Sequence, residues 1–265
     1  MFKLETFGDP LPEFTRVDVL GSGAQTDWHI PEEVPVAFVY NLRNYAVMMA
    51  TPGALIDFAL GFSLTESVIA GIDDIVSLEI HQSDQGVDLR FKIAESALEK
   101  LDIVQRRRNL IGSASCGLCG LENAETLFKV LPQVAKRKVK IETESIVRAI
   151  AELPSHQPIN TVTRSVHAAA WVSHSGDISI VREDVGRHNA LDKVLGAMAQ
   201  QGTDITGGFI LMSSRCSYEI VEKAAQCGVQ AVVSISGPTA FALRKAREAN
   251  MAIYARAEAG VVEIN

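Results

Sequence analysis

Cys116 and Cys119 stand three positions apart in Gly112-Ser113-Ala114-Ser115-Cys116-Gly117-Leu118-Cys119-Gly120. Glycine and serine on both sides leave the backbone free and the sulfurs accessible, which suits sulfur chemistry better than a packed core. Three chemistries fit such a pair. Half of a structural zinc site needs a second ligand pair, and Cys216 and Cys227, eleven apart, are not a second knuckle. A thioredoxin-type redox pair should open a helix directly after a strand, whereas these flanks read as loop. A sulfur carrier would hold a sulfane sulfur as persulfide on one thiolate and use the other thiol to assist release. Arg106-Arg107-Arg108, just upstream, would favour that thiolate. Spacing alone leaves all three open, beside the plain reading of two unremarkable cysteines.

Other groups could bind rather than react. Arg182-Glu183-Asp184-Val185-Gly186-Arg187-His188-Asn189-Ala190-Leu191-Asp192-Lys193 crowds charge into a strand-to-helix transition, where open α/β sheets take their ligands. His188 and Asp192, one turn apart, could pair on one helix face; an exposed helix start whose acids favour the dipole is the equal alternative. Ser214, Arg215 and Ser217 follow an apolar strand and open a helix, a place where hydroxyls, backbone N–H groups and a guanidinium suit phosphate. Ser234-Ile235-Ser236-Gly237-Pro238-Thr239 repeats that chemistry on the next unit. Neither a GxGxxG fingerprint nor a P-loop lysine is present, which disfavours the common dinucleotide and triphosphate binders. His167 reads as a core histidine and Cys227 as a buried structural thiol.

These groups need a frame. Val34 to Tyr40 reads as a strand with a hairpin partner at Tyr45 to Met49, and Leu55 to Leu64 has helical spacing. Ile75 to Ile80 and Val87 to Ile93 form a second hairpin, so residues 1–105 are expected to be a small α+β unit, its first 33 or so residues a lead-in with at most short strands. Short helices are expected at Ala97 to Val104 and Glu122 to Leu131, on either side of the thiol loop within 106–135. Residues 136–265 add a helix from Thr143 to Leu153, a hairpin at Val166 to Val172 and Ile178 to Val181, and a helix from Gly186 to Gln200. They end as strand, helix, strand, helix, strand, which predicts a largely parallel sheet covered on both faces.

The 265 residues are 47% hydrophobic, enough for one large core or two ordinary ones. A net charge of −7 argues against coating nucleic acid or lying on an anionic membrane. No apolar run approaches the roughly 18 to 20 residues of a membrane span, and the polar start does not read as a signal peptide. Four cysteines are too few for a disulfide scaffold, so reduced thiols and a cytoplasmic location are expected.

The chain resembles the formate dehydrogenase accessory sulfurtransferases, the FdhD family. The likeness rests on Glu33-Val34-Pro35-Val36, Met49-Ala50-Thr51-Pro52-Gly53, Asp57-Phe58-Ala59-Leu60-Gly61-Phe62, Ser115-Cys116-Gly117-Leu118-Cys119-Gly120, Val166-His167-Ala168-Ala169, Arg182 to Lys193, Ser214 to Glu219 and Ser236-Gly237-Pro238-Thr239. It departs at Thr163-Arg164-Ser165, where the family tends to have Thr-Gly. The resemblance implies a larger three-layer domain of cytidine-deaminase-like fold, in a homodimer. It also implies that sulfur comes from a cysteine desulfurase and passes to the bis-molybdopterin guanine dinucleotide molybdenum cofactor, a bound substrate, for formate dehydrogenase. On the matching motifs Cys116 would carry the persulfide and Cys119 would assist. Ser214, Arg215 and Ser217, with the tail Tyr254-Ala255-Arg256-Ala257-Glu258-Ala259, would hold the cofactor, guanine nucleotide being its partial mimic. No catalytic metal is expected.

Two other readings compete. One is a chaperone that binds the cofactor and docks the dehydrogenase without moving sulfur. The other is a zinc-dependent deaminase-like hydrolase, which would need His-x-Glu followed downstream by Pro-Cys-x-x-Cys. His167 is followed by Ala168-Ala169, and the one Cys-x-x-Cys lies upstream.

Overall fold

The computed structural model describes residues 2–17, 28–98, 130–258 and 260–264. Arg106 to Arg108, Cys116, Cys119, Ala259 and most of the helices expected at 97–104 and 122–131 lie outside them. As expected of the lead-in, the described residues before Val34 carry only short strands: β1 (Lys3–Phe7), β2 (Phe14–Val17) and β3 (Trp28–Pro31). Strand β2 pairs with β3, while β1 adds to a sheet built mainly from the two expected hairpins, β4 (Val34–Tyr40) with β5 (Arg43–Ala50) and β6 (Ile75–Ser83) with β7 (Gly86–Ile93). The order is β1-β6-β7-β4-β5. Alternation along β4 turns Val36, Phe38 and Tyr40 inward, onto helix α1 (Leu55–Thr65), whose Phe58 and Phe62 face Phe38.

The second sheet holds β8 (His167–Ser173), β9 (Ile178–Asp184), β10 (Gly208–Met212), β11 (Ala231–Ser234), β12 (Ala252–Ala257) and β13 (Gly260–Ile264), in the order β13-β12-β11-β10-β8-β9. Only β10, β11 and β12 run parallel. The sheet is therefore mixed, not largely parallel. The turns explain this: β8 to β9 and β12 to β13 are too short for crossovers, and Gly176 (φ 90°) and Gly260 (φ 118°) supply left-handed turn geometry. Strand β13, five residues at an edge, has no clear two-residue alternation and is invisible to pattern reading.

Helices cover both faces. Helix α2 (Thr143–Glu152) packs Ile146 and Ala149 on Ala168, Ala170, Val172, Phe209 and Leu211. It passes through a 3₁₀ turn at Pro154 into the short α3 (Pro158–Thr163). Helices α4 (Arg187–Gln201), α5 (Tyr218–Gln226) and α6 (Ala240–Glu248) pack on Ala169, Trp171, Ile210, Met212 and Ile253. The expected α/β class holds, with a smaller α+β unit beside a larger helix-covered sheet.

The two sheets are joined through their helices. Helix α1 crosses α4 at Gly61 and Gly196, where backbones touch. A Cβ on Gly61 would land on the Asp192 carbonyl, and one on Gly196 on the Asp57 carbonyl. Both faces of α1 are therefore occupied, one by the first sheet and one by α4, which is why nine of its eleven residues are buried.

Candidate functional site

The Arg182-to-Lys193 stretch divides into two sets with different jobs. The inward set staples the units together. Lys193 Nζ, wholly buried, lies 2.7 Å from Asp184 Oδ2 and donates to the Thr51 carbonyl at 2.8 Å. Asp184 also accepts from the backbone N–H of Thr51 and Gly186 and from Asn189 Nδ2, so its charge is fully surrounded by donors. Asp192 accepts from Thr65 Oγ1 at 2.7 Å and from Lys223 Nζ at 2.9 Å, and Arg182 Nε donates to Asp57 at 2.7 Å. Burial alone would lower the Lys223 pKa, but Asp192 and Glu66 outweigh it and keep the ammonium charged. The pairing of His188 with Asp192 that their one-turn spacing allows does not form. Asp192 points into the α1–α4–α5 junction, whereas the His188 ring turns toward Glu219, 3.9 Å away.

The outward set lies along one sheet edge, where register brings distant residues together. His167 at the start of β8 pairs with Asp184 at the end of β9, and Met212 at the end of β10 aligns with Ala169 and Ser234. Ser234 in turn aligns with Ala255 of β12. His167, Arg187, His188, the Ser214-to-Ser217 turn, the Ser236-to-Thr239 turn and Arg256 therefore share the edge at the carboxyl ends of the parallel strands, where such sheets bind ligands. The two serine turns are laced together: Ser234 Oγ donates to the Ser214 carbonyl at 2.6 Å, and Thr239 N–H to the Cys216 carbonyl at 3.0 Å.

Among the expected cofactor contacts, Arg215, Arg256, Ala257 and Glu258 are exposed at this edge. Ser214 and Ala255 are buried, and Ser217, half-buried, is the N-cap of α5 without a side-chain capping bond. Tyr254 is turned away: its ring packs on the α2 face, and its hydroxyl donates to Glu263 and accepts from Arg137, each at 2.7 Å. His167 is no core histidine. It is half-buried at the edge, Ser213 Oγ 3.5 Å from its Nδ1, and burial followed by the Arg187 charge lowers its pKa. Burial, Arg187 and neighbouring cations bring His188 down to about 4, so its ring is neutral at pH 7. Burial pushes Glu219 up, but Ser217, a backbone N–H, His188 and Arg187 outweigh that and leave it below the ordinary carboxylate range.

Two features carry less chemistry. In a hollow of about 180 Å³ between Glu13, Gly53, His156, Arg182 and Glu183, Arg182 is already matched by Asp57 and Glu183 by the Ile159 and Asn160 amides. Cys216 and Cys227 are held as inert thiols, burial pushing each up to about 12. Among the described residues no group of three or more metal-ligating side chains forms, and no helix is long and apolar enough to cross a membrane.

A family model described as the FdhD/NarQ family matches residues 31–264. Curated relatives named Sulfur carrier protein FdhD include one from Cupriavidus necator, 44% identical over 235 residues covering 88% of this chain and 81% of the relative. Another, from Xanthomonas euvesicatoria pv. vesicatoria, is 42% identical over 88% of this chain and 82% of its own. A third, from Bordetella bronchiseptica, is 40% identical over 90% and 85%. A crystal structure described as a candidate formate dehydrogenase accessory protein from Desulfotalea psychrophila superposes with TM-score 0.68 over 95% of this chain and 96% of that one. At 21% identity that likeness is one of fold.

Proposed function

Because the chain belongs to the FdhD/NarQ family, we propose that it is a sulfur carrier that serves the maturation of a formate dehydrogenase. The observation that carries this reading is the Cys116-x-x-Cys119 pair inside the family match of residues 31–264, together with relatives named sulfur carriers over most of their length. Elimination among the cysteines supports it. Cys216 and Cys227 are thiols near pKa 12 and poor nucleophiles, so sulfur chemistry falls to Cys116 and Cys119.

The loading step is thiol exchange. The Cys116 thiolate attacks the terminal sulfane sulfur of a persulfide on a cysteine desulfurase. The donor's S–S bond breaks, its cysteine departs as thiolate, and Cys116 is left as persulfide with no net redox change. The acceptor in this reading is the bis-molybdopterin guanine dinucleotide molybdenum cofactor, bound as substrate. Arg215, Ser217 and Arg256 line an edge whose helix starts and hydroxyls suit its phosphates. The work would be done by a homodimer in the cytoplasm.

The test is mass spectrometry of the full chain after incubation with a cysteine desulfurase and cysteine. A gain of one sulfur atom on the peptide holding Cys116, absent in Cys116→Ala, is expected, with loss of formate dehydrogenase activation. Full activation by Cys116→Ala would sink the sulfur-carrier reading and leave a cofactor-binding chaperone.

A further inference from the structure

The starts of α4 and α5 gather polar side-chain atoms without hydrogen-bond partners. Five buried side-chain nitrogen or oxygen atoms among the described residues fall short of a hydrogen bond, three of them in this one corner; Ser217 Oγ already leans on the Glu219 carboxylate, which leaves Arg187 Nε and His188 Nε2 as the unbonded nitrogens. Buried polar atoms are nearly always bonded, so a cluster of exceptions asks for a ligand. The start of α4 is not closed by a side chain, Gly186 having none to offer, whereas at the start of α5 the Glu219 carboxylate accepts from its own backbone N–H and from Ser217 Oγ. The first-turn N–H groups of α4 are thus available beside a guanidinium.

Charge gives the sign of that ligand. Arg187 is positive, Glu219 negative, and both histidines are neutral at pH 7. The start of α4, equivalent to about half a positive charge, tips the balance toward an anion. The donors also cost little to recruit. Arg187 Nε and His188 Nε2 hold no hydrogen bond, so turning them toward a ligand breaks none, and about a quarter of the His188 side chain already meets solvent.

We propose that Arg187 and His188, between the starts of α4 and α5, bind a phosphoryl group of the nucleotide portion of the ligand, with Glu219 setting an upper bound on affinity. This rests on the nucleotide-binding reading given above and goes beyond it, by assigning the phosphate contact to a cluster separate from Arg215 and Arg256. Arg187 and His188 are outside the Asp184–Lys193 and Asp192–Lys223 staples, so their replacement should spare the fold.

Calorimetry on the full chain with inorganic pyrophosphate, GDP and guanosine tests this. Arg187→Gln and His188→Asn should each weaken pyrophosphate and GDP by about tenfold or more, with unchanged melting temperature and unchanged guanosine binding. Glu219→Gln should tighten pyrophosphate, since a repelling charge is removed. If pyrophosphate fails to bind the wild type, or binds both variants as it binds the wild type, the proposal is overturned. GDP binding that is weakened by Arg215→Ala but indifferent to Arg187→Gln overturns it while sparing the nucleotide reading. Pyrophosphate binding that depends on Arg187, with no binding of GDP beyond it and none of guanosine, supports this anion site and sinks the nucleotide reading.

Discussion

Lys193 and Arg187 sit on the same helix and answer to different masters. Lys193 Nζ is wholly enclosed, 2.7 Å from Asp184 and 5.7 Å from the centre of the Phe58 ring. Removing one partner of a buried pair leaves a charge without compensation, at about 3 to 5 kcal/mol. Lys193→Met should therefore lower unfolding free energy by that order in chemical denaturation. Lys193→Met with Asp184→Asn should recover part of the loss. Equal loss in single and double variants would show that the pair contributes little beyond packing. Neither effect was readable beforehand. The spacing of Arg182 to Lys193 announces a charged helix start, but which charges turn inward depends on α1, more than a hundred residues earlier. Arg164 is a counterexample, where sequence did speak. It stands where the family tends to have glycine, and its φ of 54° is the left-handed C-cap conformation of α3 that glycine adopts without strain.

At the scale of elements, the contact of α1 with α4 decides the architecture. Gly61 and Gly196 let two backbones touch, each leaving no room for a methyl group beside the other's carbonyls. Gly196→Ala would gain about 1 kcal/mol in helix propensity if it were exposed. Here the added methyl meets the backbone of Asp57, which cannot swing aside as a side chain can. Overpacking of this kind costs about 1 to 3 kcal/mol and sometimes more. A net fall in melting temperature is expected; an unchanged or higher value would mean the helices separate at no cost. The hairpins and helices themselves were legible because period-two and 3.6-residue patterns are local. The parallel or antiparallel sense of each strand was not fully so: β10 to β12 followed from their intervening helices, whereas β13 is a short edge with no pattern to read.

At the scale of the molecule, two sheets share one junction. Helix α1 belongs to the first core yet supplies Thr65, Glu66 and Asp57 to charges on α4, α5 and β9. A fragment of residues 130–265 would lose those partners and expose the Gly196 face of α4. It should be insoluble or molten alone, while the full chain unfolds in one transition by both near- and far-ultraviolet circular dichroism. A soluble fragment with native near-ultraviolet signal would show that the second sheet folds independently. The same junction orders what the sequence could and could not say. The amino-acid order alone determined most elements and the α/β class, because these depend on residue type and local period. Only the tertiary structure decided that Asp184, Asp192, Lys193 and Lys223 are buried staples, and that His167, Arg187, His188 and Ser217 meet at one edge. Those outcomes depend on sheet register and on the close crossing of two helices, and both join residues too far apart in the chain for any local pattern to record.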